Sequence, residues 1–163
     1  MKILDKIIKS NVISLIIVTI ILILMTVFIT SKYIESKFKN TYVVDNFVVN
    51  SDRTIKTKLE KLSDEEGLKT KEYDINITNN GIKRNYKILL SPIIDNDDQI
   101  RVSFNNNTIR NLSSFDKEDN SYVIYKYYLP SSYSSLNNIK IWQKQDSNID
   151  NINVDFKIEF KID

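Results

Sequence analysis

The segment 154–162 reads VDFKIEFKI and decides the fold class of this chain. Apolar and charged residues alternate strictly, so a β-strand would place every apolar side chain on one face and every charge on the other. This period of two predicts a strand with one buried face. The apolar positions are Val154, Phe156, Ile158, Phe160 and Ile162.

Similar alternation recurs along most of the chain upstream. It is strong in 73–77, 86–90 and 139–141, and weaker in 42–49, 55–62, 100–105 and 121–129. Seven or eight strands with one apolar face each need a second layer to cover that face. The pattern therefore predicts an all-β ectodomain, a two-sheet sandwich of immunoglobulin-like size.

Two short motifs predict turns between these strands. Asn79-Asn80-Gly81 separates two strong strands, and Asn-Gly favours the positive φ angles of a hairpin turn. Ser63 to Glu66 matches a capping box, and Gly67 could close the turn, so we expect one helical turn there. The acidic residues of this turn then have a structural role.

A long apolar segment lies near the N-terminus. Residues 12–29, VISLIIVTIILILMTVFI, carry no charge, and their hydroxyl groups can bond back to their own helix. Because about 20 helical residues cross a bilayer, we predict a transmembrane helix over 10–30, a signal anchor whose residues 12–29 contact membrane lipid. A cleaved signal peptide is the alternative, but the run is long and no small-residue cleavage site follows it.

The anchor divides the chain into four parts. Residues 1–9 form a short basic tail, 31–40 a juxtamembrane stalk, and 41–163 the extracytoplasmic domain. The basic tail favours a cytoplasmic N-terminus, which places the single-pass protein in the cell membrane with its C-terminal domain outside. Lysines are concentrated in the two flanks of the anchor, so the domain is slightly acidic and we expect no nucleic-acid partner.

The chain contains no cysteine and no histidine. Disulfides, thiolate metal sites and thiol nucleophiles are therefore excluded, as are the commonest general base and the commonest metal ligand. We expect no cofactor and no enzymatic activity, and keep an enzyme of unrecognised type as a second alternative.

Two groups of side chains are candidates for binding. Asp95, Asp97 and Asp98 form the most acidic loop, but they lack the spacing of an EF-hand, so they are weak calcium candidates and a solvated turn is preferred. Tyrosine suits recognition surfaces because its ring is large and rigid with a polar tip, although it is also a good strand residue. The candidate contact surface comprises Tyr122, Tyr125, Tyr127, Tyr128, Tyr133 and Trp142.

Alternation assigns faces to these aromatic residues. Tyr125 and Tyr127 should share one face, and Tyr122 and Tyr128 the other. If Ile139 and Ile141 face the core, Trp142 lies on the opposite face and is partly exposed. We prefer the reversed register, in which Trp142 is the core residue.

Two runs, 62–90 and 129–158, resemble Gram-positive membrane-attached or secreted β-sandwich proteins related to the fibre protein TasA and to camelysin. The matching positions are Asp64, Gly67, Tyr73, Ile75, Ile77, Asn79 and Gly81, followed by Ile139, Trp142 and 156–158. The resemblance implies a sandwich with a core tryptophan. The chain departs from it by lacking a small-residue processing site, and without histidine it cannot form a zinc-protease site.

Together these observations predict a non-enzymatic, single-pass protein that displays a β-sandwich for contacts with an unknown protein partner, including self-association. The alternative is a secreted matrix or fibre subunit released by signal cleavage.

Overall fold

The computed structural model describes residues 15–31, 40–150 and 152–163. The chain forms two compact units, Met1–Lys39 and Asn40–Asp163. In the first unit, residues 15–31 form helix α1, and the side chains of this helix are exposed. The hydroxyl groups of Thr19 and Thr26 each donate, at 2.8 Å, to the carbonyl four residues earlier, which confirms the predicted bonding within the helix.

Among the described residues, no helix is both long and apolar enough to cross a membrane. The predicted tail over 1–9, residues 10–14 of the predicted span and residues 32–39 of the predicted stalk lie outside the described residues.

The second unit contains twelve strands among its described residues. They are β1 (Thr41–Val44), β2 (Phe47–Ser51), β3 (Thr54–Lys58), β4 (Lys61–Leu62), β5 (Tyr73–Asn79), β6 (Arg84–Ser91), β7 (Ile100–Phe104), β8 (Thr108–Asn111), β9 (Asp116–Glu118), β10 (Ser121–Leu129), β11 (Ser134–Lys144) and β12 (Asn153–Ile162). One four-residue helix, α2 (Asp64–Gly67), lies between β4 and β5.

The strands form two sheets. Sheet I has the order β1-β2-β5-β11-β7-β8, and β4 adds to β11 in parallel; sheet II has the order β3-β12-β6-β10-β9. All other neighbours are antiparallel. The predicted β-rich, two-sheet architecture is confirmed, whereas the predicted strand count was too low.

Two local features account for the additional strands. The segment 42–49, which reads as one strand, is a hairpin because Asp45 adopts a positive φ of 53° between β1 and β2. The short strands β8 and β9 lie in or beside a stretch rich in Asn and Ser, where no alternation marks them. Both pair with longer neighbours, so tertiary hydrogen bonding overrides their weak local preference.

The apolar faces of the two sheets meet in one core. In β12 the inner residues Val154, Phe156, Ile158 and Phe160 are buried and the charged residues between them are exposed, as predicted. Their partners include Ile75 and Ile77 of sheet I and Ile88 and Leu90 of sheet II, which are at most 1% exposed.

The segment 79–81 does not form the predicted hairpin turn. It carries the chain from β5 in sheet I to β6 in sheet II, and Gly81 has no positive φ. Asn79 holds this crossing from inside: its buried side chain accepts from the Gly81 amide and donates to the carbonyls of Ile82 and Leu129, each at 2.9 Å. Asn-Gly therefore marks a turn here, but one that changes sheets.

The predicted helical turn forms with the predicted cap. Ser63 and Glu66 make both bonds of the capping box. The segment carrying α2 lies over the outer face of β11, where it covers Trp142 and buries Lys140, whose ammonium group contacts Glu72 at 2.8 Å and donates to the Leu68 carbonyl.

Candidate functional site

The C-terminal half of β10 has a free side. β6 pairs with β10 from Tyr122 to Leu129, but β9 pairs only with Ser121–Val123 on the opposite side. Among the described residues, no strand pairs with that opposite side beyond Val123. We call Tyr125–Leu129 the tyrosine edge. The Leu129 carbonyl accepts from the Asn79 side chain at 2.9 Å, and the other backbone groups that point away from β6 are available to hydrogen-bond an additional strand.

A β-bulge sets which side chains this edge presents. The register of β10 against β6 skips Ile124, so Tyr122 pairs with Leu90 and Tyr125 pairs with Ile88. The extra residue changes the alternation, and both Tyr122 and Tyr125 pack against the inner core. The prediction that Tyr122 shares a face with Tyr128 was wrong for this reason.

The rings along the edge form a continuous stack from the core to the surface. Phe104 of β7 stacks on Tyr125 with centroids 4.2 Å apart, Tyr125 on Tyr127 at 5.8 Å, and Tyr127 on Tyr128 at 4.7 Å. The ammonium group of Lys83 lies 4.1 Å from the Tyr128 centroid and caps the outer end. Phe104 at the inner end is 8% exposed, whereas Tyr127 and Tyr128 at the outer end are 50% and 39% exposed.

The stack limits what this surface can bind. Tyr127 stacks against both Tyr125 and Tyr128, and the Tyr128 ring also contacts the Lys83 ammonium group. Ring edges and hydroxyl groups are what remains accessible. Within the described part of the chain these two hydroxyl groups make no hydrogen bond, so they can donate to and accept from a partner.

The other predicted contact residues lie elsewhere. Trp142 and Tyr122 are 1% and 0% exposed, so neither belongs to a contact surface. Trp142 is buried, as we preferred, although Ile139 and Ile141 also face the core, because the segment carrying α2 covers the opposite face of β11. The reversed register that this prediction assumed is wrong. Tyr133 is 63% exposed in the turn that follows β10.

The acidic loop is tied to its neighbours by hydrogen bonds. Asp97 accepts from Lys117 at 2.9 Å and from the Tyr122 hydroxyl at 3.3 Å, and Asp98 accepts from the adjacent Gln99 side chain. In the described ranges, no three acidic side chains are grouped as a metal site requires. Asp95, Asp97 and Asp98 are therefore not brought together as a calcium site.

The outer face of sheet II carries a network of five charges that sequence reasoning missed. Glu118 contacts Lys87 at 2.8 Å and also Lys161, while Asp163 contacts Lys87 at 2.7 Å and Lys126 at 3.1 Å. The lysines occupy opposed positions on neighbouring strands, because Lys87 pairs with both Lys126 and Lys161. The two carboxylates offset the repulsion expected between opposed like charges.

A groove of about 590 Å³ lies on the same face. Its lining includes Leu89, Lys157, Glu159 and Lys161, together with Arg53, which stacks on Tyr42. The charges of both signs give the groove no preference for an anion or a cation.

No protein-family model, no curated protein and no solved structure matches this chain. The resemblance to TasA and camelysin therefore stays a prediction.

Proposed function

We propose that this chain is a non-enzymatic, single-pass membrane protein whose immunoglobulin-like sandwich makes protein–protein contacts at the cell envelope. The observation that carries the proposal is the tyrosine edge. It combines an unpaired strand side with Tyr127 and Tyr128, which are exposed beside it. An extended segment of a partner can bond the free backbone while its side chains contact the ring edges.

A protein partner fits this edge better than a sugar or a small ligand. Flat ligands bind tyrosine through a free ring face, whereas the Tyr127 ring already stacks against two neighbouring rings. Free backbone groups and rigid aromatic side chains are typical of strand addition and of protein interfaces.

Membrane attachment is supported by the composition and bonding of α1. Its described side chains are almost entirely aliphatic, and its threonine hydroxyl groups are satisfied by their own helix, so few polar groups would remain to be hydrated. The basic residues that precede the apolar segment favour a cytoplasmic N-terminus.

Photo-crosslinking tests the contact surface. A photoreactive amino acid is placed at Tyr128 in the full chain expressed in bacterial membranes, and in a control at Lys56, an exposed residue of β3. Illumination should give protein adducts from position 128 and none from position 56. Equal adduct yields from the two positions would overturn the proposed surface.

The same free edge also favours a second candidate, a secreted fibre subunit, because unpaired edges support assembly. The mass of the mature N-terminus separates the two candidates. An intact Met1 in the membrane fraction supports the anchored protein, and a start near Lys32 supports the secreted subunit.

A further inference from the structure

We propose that the tyrosine edge pairs antiparallel with the same edge of a second copy of this chain, about a two-fold axis through Tyr127. This inference rests on the proposed contact function and names the partner. The two five-stranded sheets would join into one continuous ten-stranded sheet. A two-fold contact requires a surface that is complementary to itself, and the residues of the edge meet that requirement in one register.

The register follows from the geometry of antiparallel strands. A two-fold axis perpendicular to the sheet places the inner faces of both copies on the same side. Directly opposed residues of antiparallel strands point to the same side, so each residue must face one of its own face in the second copy. This holds only when the axis passes between one residue and the same residue of the second copy. Within the edge, the central residues to compare are therefore Tyr125, Lys126, Tyr127 and Tyr128.

Three of these registers are disfavoured by their neighbours. An axis through Tyr125 places Val123 opposite Tyr127 of the second copy, but β9 already pairs with that side of Val123. An axis through Lys126 places two lysine side chains directly opposite each other, with Cβ atoms about 5 Å apart, and opposed like charges are destabilising. An axis through Tyr128 opposes Lys126 to Pro130, which has no backbone N–H to donate.

The axis through Tyr127 uses all five residues of the edge. On the inner face the two Tyr127 rings meet, and each Tyr125 faces Leu129 of the second copy. On the outer face each Lys126, which is 61% exposed and contacts Asp163 at 3.1 Å, lies opposite the second copy's Tyr128, whose hydroxyl group can accept from a further N–H of the same ammonium group. Lysine on an edge strand normally prevents pairing. Here Lys126 disfavours the register centred on itself and is compatible with the register centred on Tyr127.

Cysteine crosslinking tests this register without background, because the chain has no cysteine of its own. Single variants Tyr127→Cys, Lys126→Cys and Lys56→Cys of the full chain are oxidised in membranes, and dimers are counted on non-reducing gels. Directly opposed residues have Cα atoms about 4.5–5.5 Å apart, within the reach of a disulfide. A two-residue offset separates them by about 8 Å, which is beyond that reach.

The expected result is a dimer from Tyr127→Cys and none from the other two variants. Because removing the central ring could weaken the contact, co-expressed Lys126→Cys and Tyr128→Cys chains provide a second measurement that retains Tyr127. They should crosslink with each other. A dimer from Lys126→Cys alone would overturn the register.

No dimer in either measurement would overturn self-pairing. The outcome for the contact function itself is separate: heterologous adducts from the photoreactive residue at Tyr128, without dimers, would support a different protein partner. Absence of both kinds of adduct would overturn the two proposals together.

Discussion

Gly67 lies so close to the indole ring of Trp142 that a β-carbon built on this glycine would stand 2.2 Å from Cε2 of the ring. The glycine is needed for this close approach and not for a left-handed backbone, since Gly67 has no positive φ. This contact lets α2 cover a tryptophan that would otherwise be exposed on the outer face of β11.

Replacing Gly67 with alanine should therefore destabilise the domain. The added methyl group must displace the indole or the helical turn, and overpacking of this kind costs about 1–3 kcal/mol in the free energy of unfolding. Denaturant unfolding followed by tryptophan fluorescence measures it, because Trp142 is the single tryptophan. Glu65→Ala in the same turn, an exposed position, serves as control and should change stability by less than about 0.5 kcal/mol. Equal stabilities of the two variants would contradict the packing argument.

The buried amide of Asn79 should contribute more to stability than its sequence suggests. Asn79→Ala leaves the buried Leu129 carbonyl and the half-buried Gly81 amide without their bonds to this side chain, and a buried group left unsatisfied costs about 1–3 kcal/mol. The adjacent Asn80 is exposed, so Asn80→Ala is the matched control. The thermal midpoint should fall for the first variant and stay near that of the parent for the second. A larger fall for Asn80→Ala would be evidence against the crossing as described.

Stability should decrease in acid through the charge network of sheet II. Hydrogen bonds from the ammonium groups of Lys161 and Lys87 hold the pKa of Glu118 below its ordinary value. A carboxylate whose pKa is lower in the folded state than in the unfolded state stabilises the folded protein at pH values above the unfolded pKa. This contribution is lost as the pH falls through the folded pKa. The loss should therefore begin near pH 4.5, the ordinary pKa of a glutamate, and continue below it.

The Glu118→Gln variant should show a weaker pH dependence of its urea midpoint than the parent protein over that range. Glu65→Gln, at an exposed position that makes no ion pair among the described residues, should follow the parent curve. If the curve of Glu118→Gln coincided with the parent curve, the network would have no share in acid sensitivity.

Membrane attachment through α1 should be lost when charge is introduced into the apolar helix. Arginine near the centre of a spanning helix costs about 2.5–3.5 kcal/mol. The double variant Leu22→Arg, Met25→Arg should leave the carbonate-washed membrane pellet, whereas the apolar double variant Leu22→Phe, Met25→Leu should remain in it. Retention of the arginine variant in the pellet would remove the case for α1 as the anchor.

Several elements followed from local sequence alone. The alternation of 154–162 predicted the inner and outer faces of β12, and the capping box predicted α2. The faces of β10 were missed, because one inserted residue at Ile124 changes the alternation and sequence gives no signal for it. Trp142 was predicted to be core through a reversed register, whereas a covering segment buries it on the outer face.

The sequence by itself determined that the chain makes strands with one apolar face, because the side-chain period of a pleated strand is a local property. It also determined, through the absence of cysteine and histidine, that this sequence provides no disulfide, thiolate or imidazole group. Only the tertiary structure decided which strands share a sheet and where pairing stops. Those choices depend on hydrogen bonds between residues far apart in the chain, and they leave the five residues of the tyrosine edge with one side unpaired.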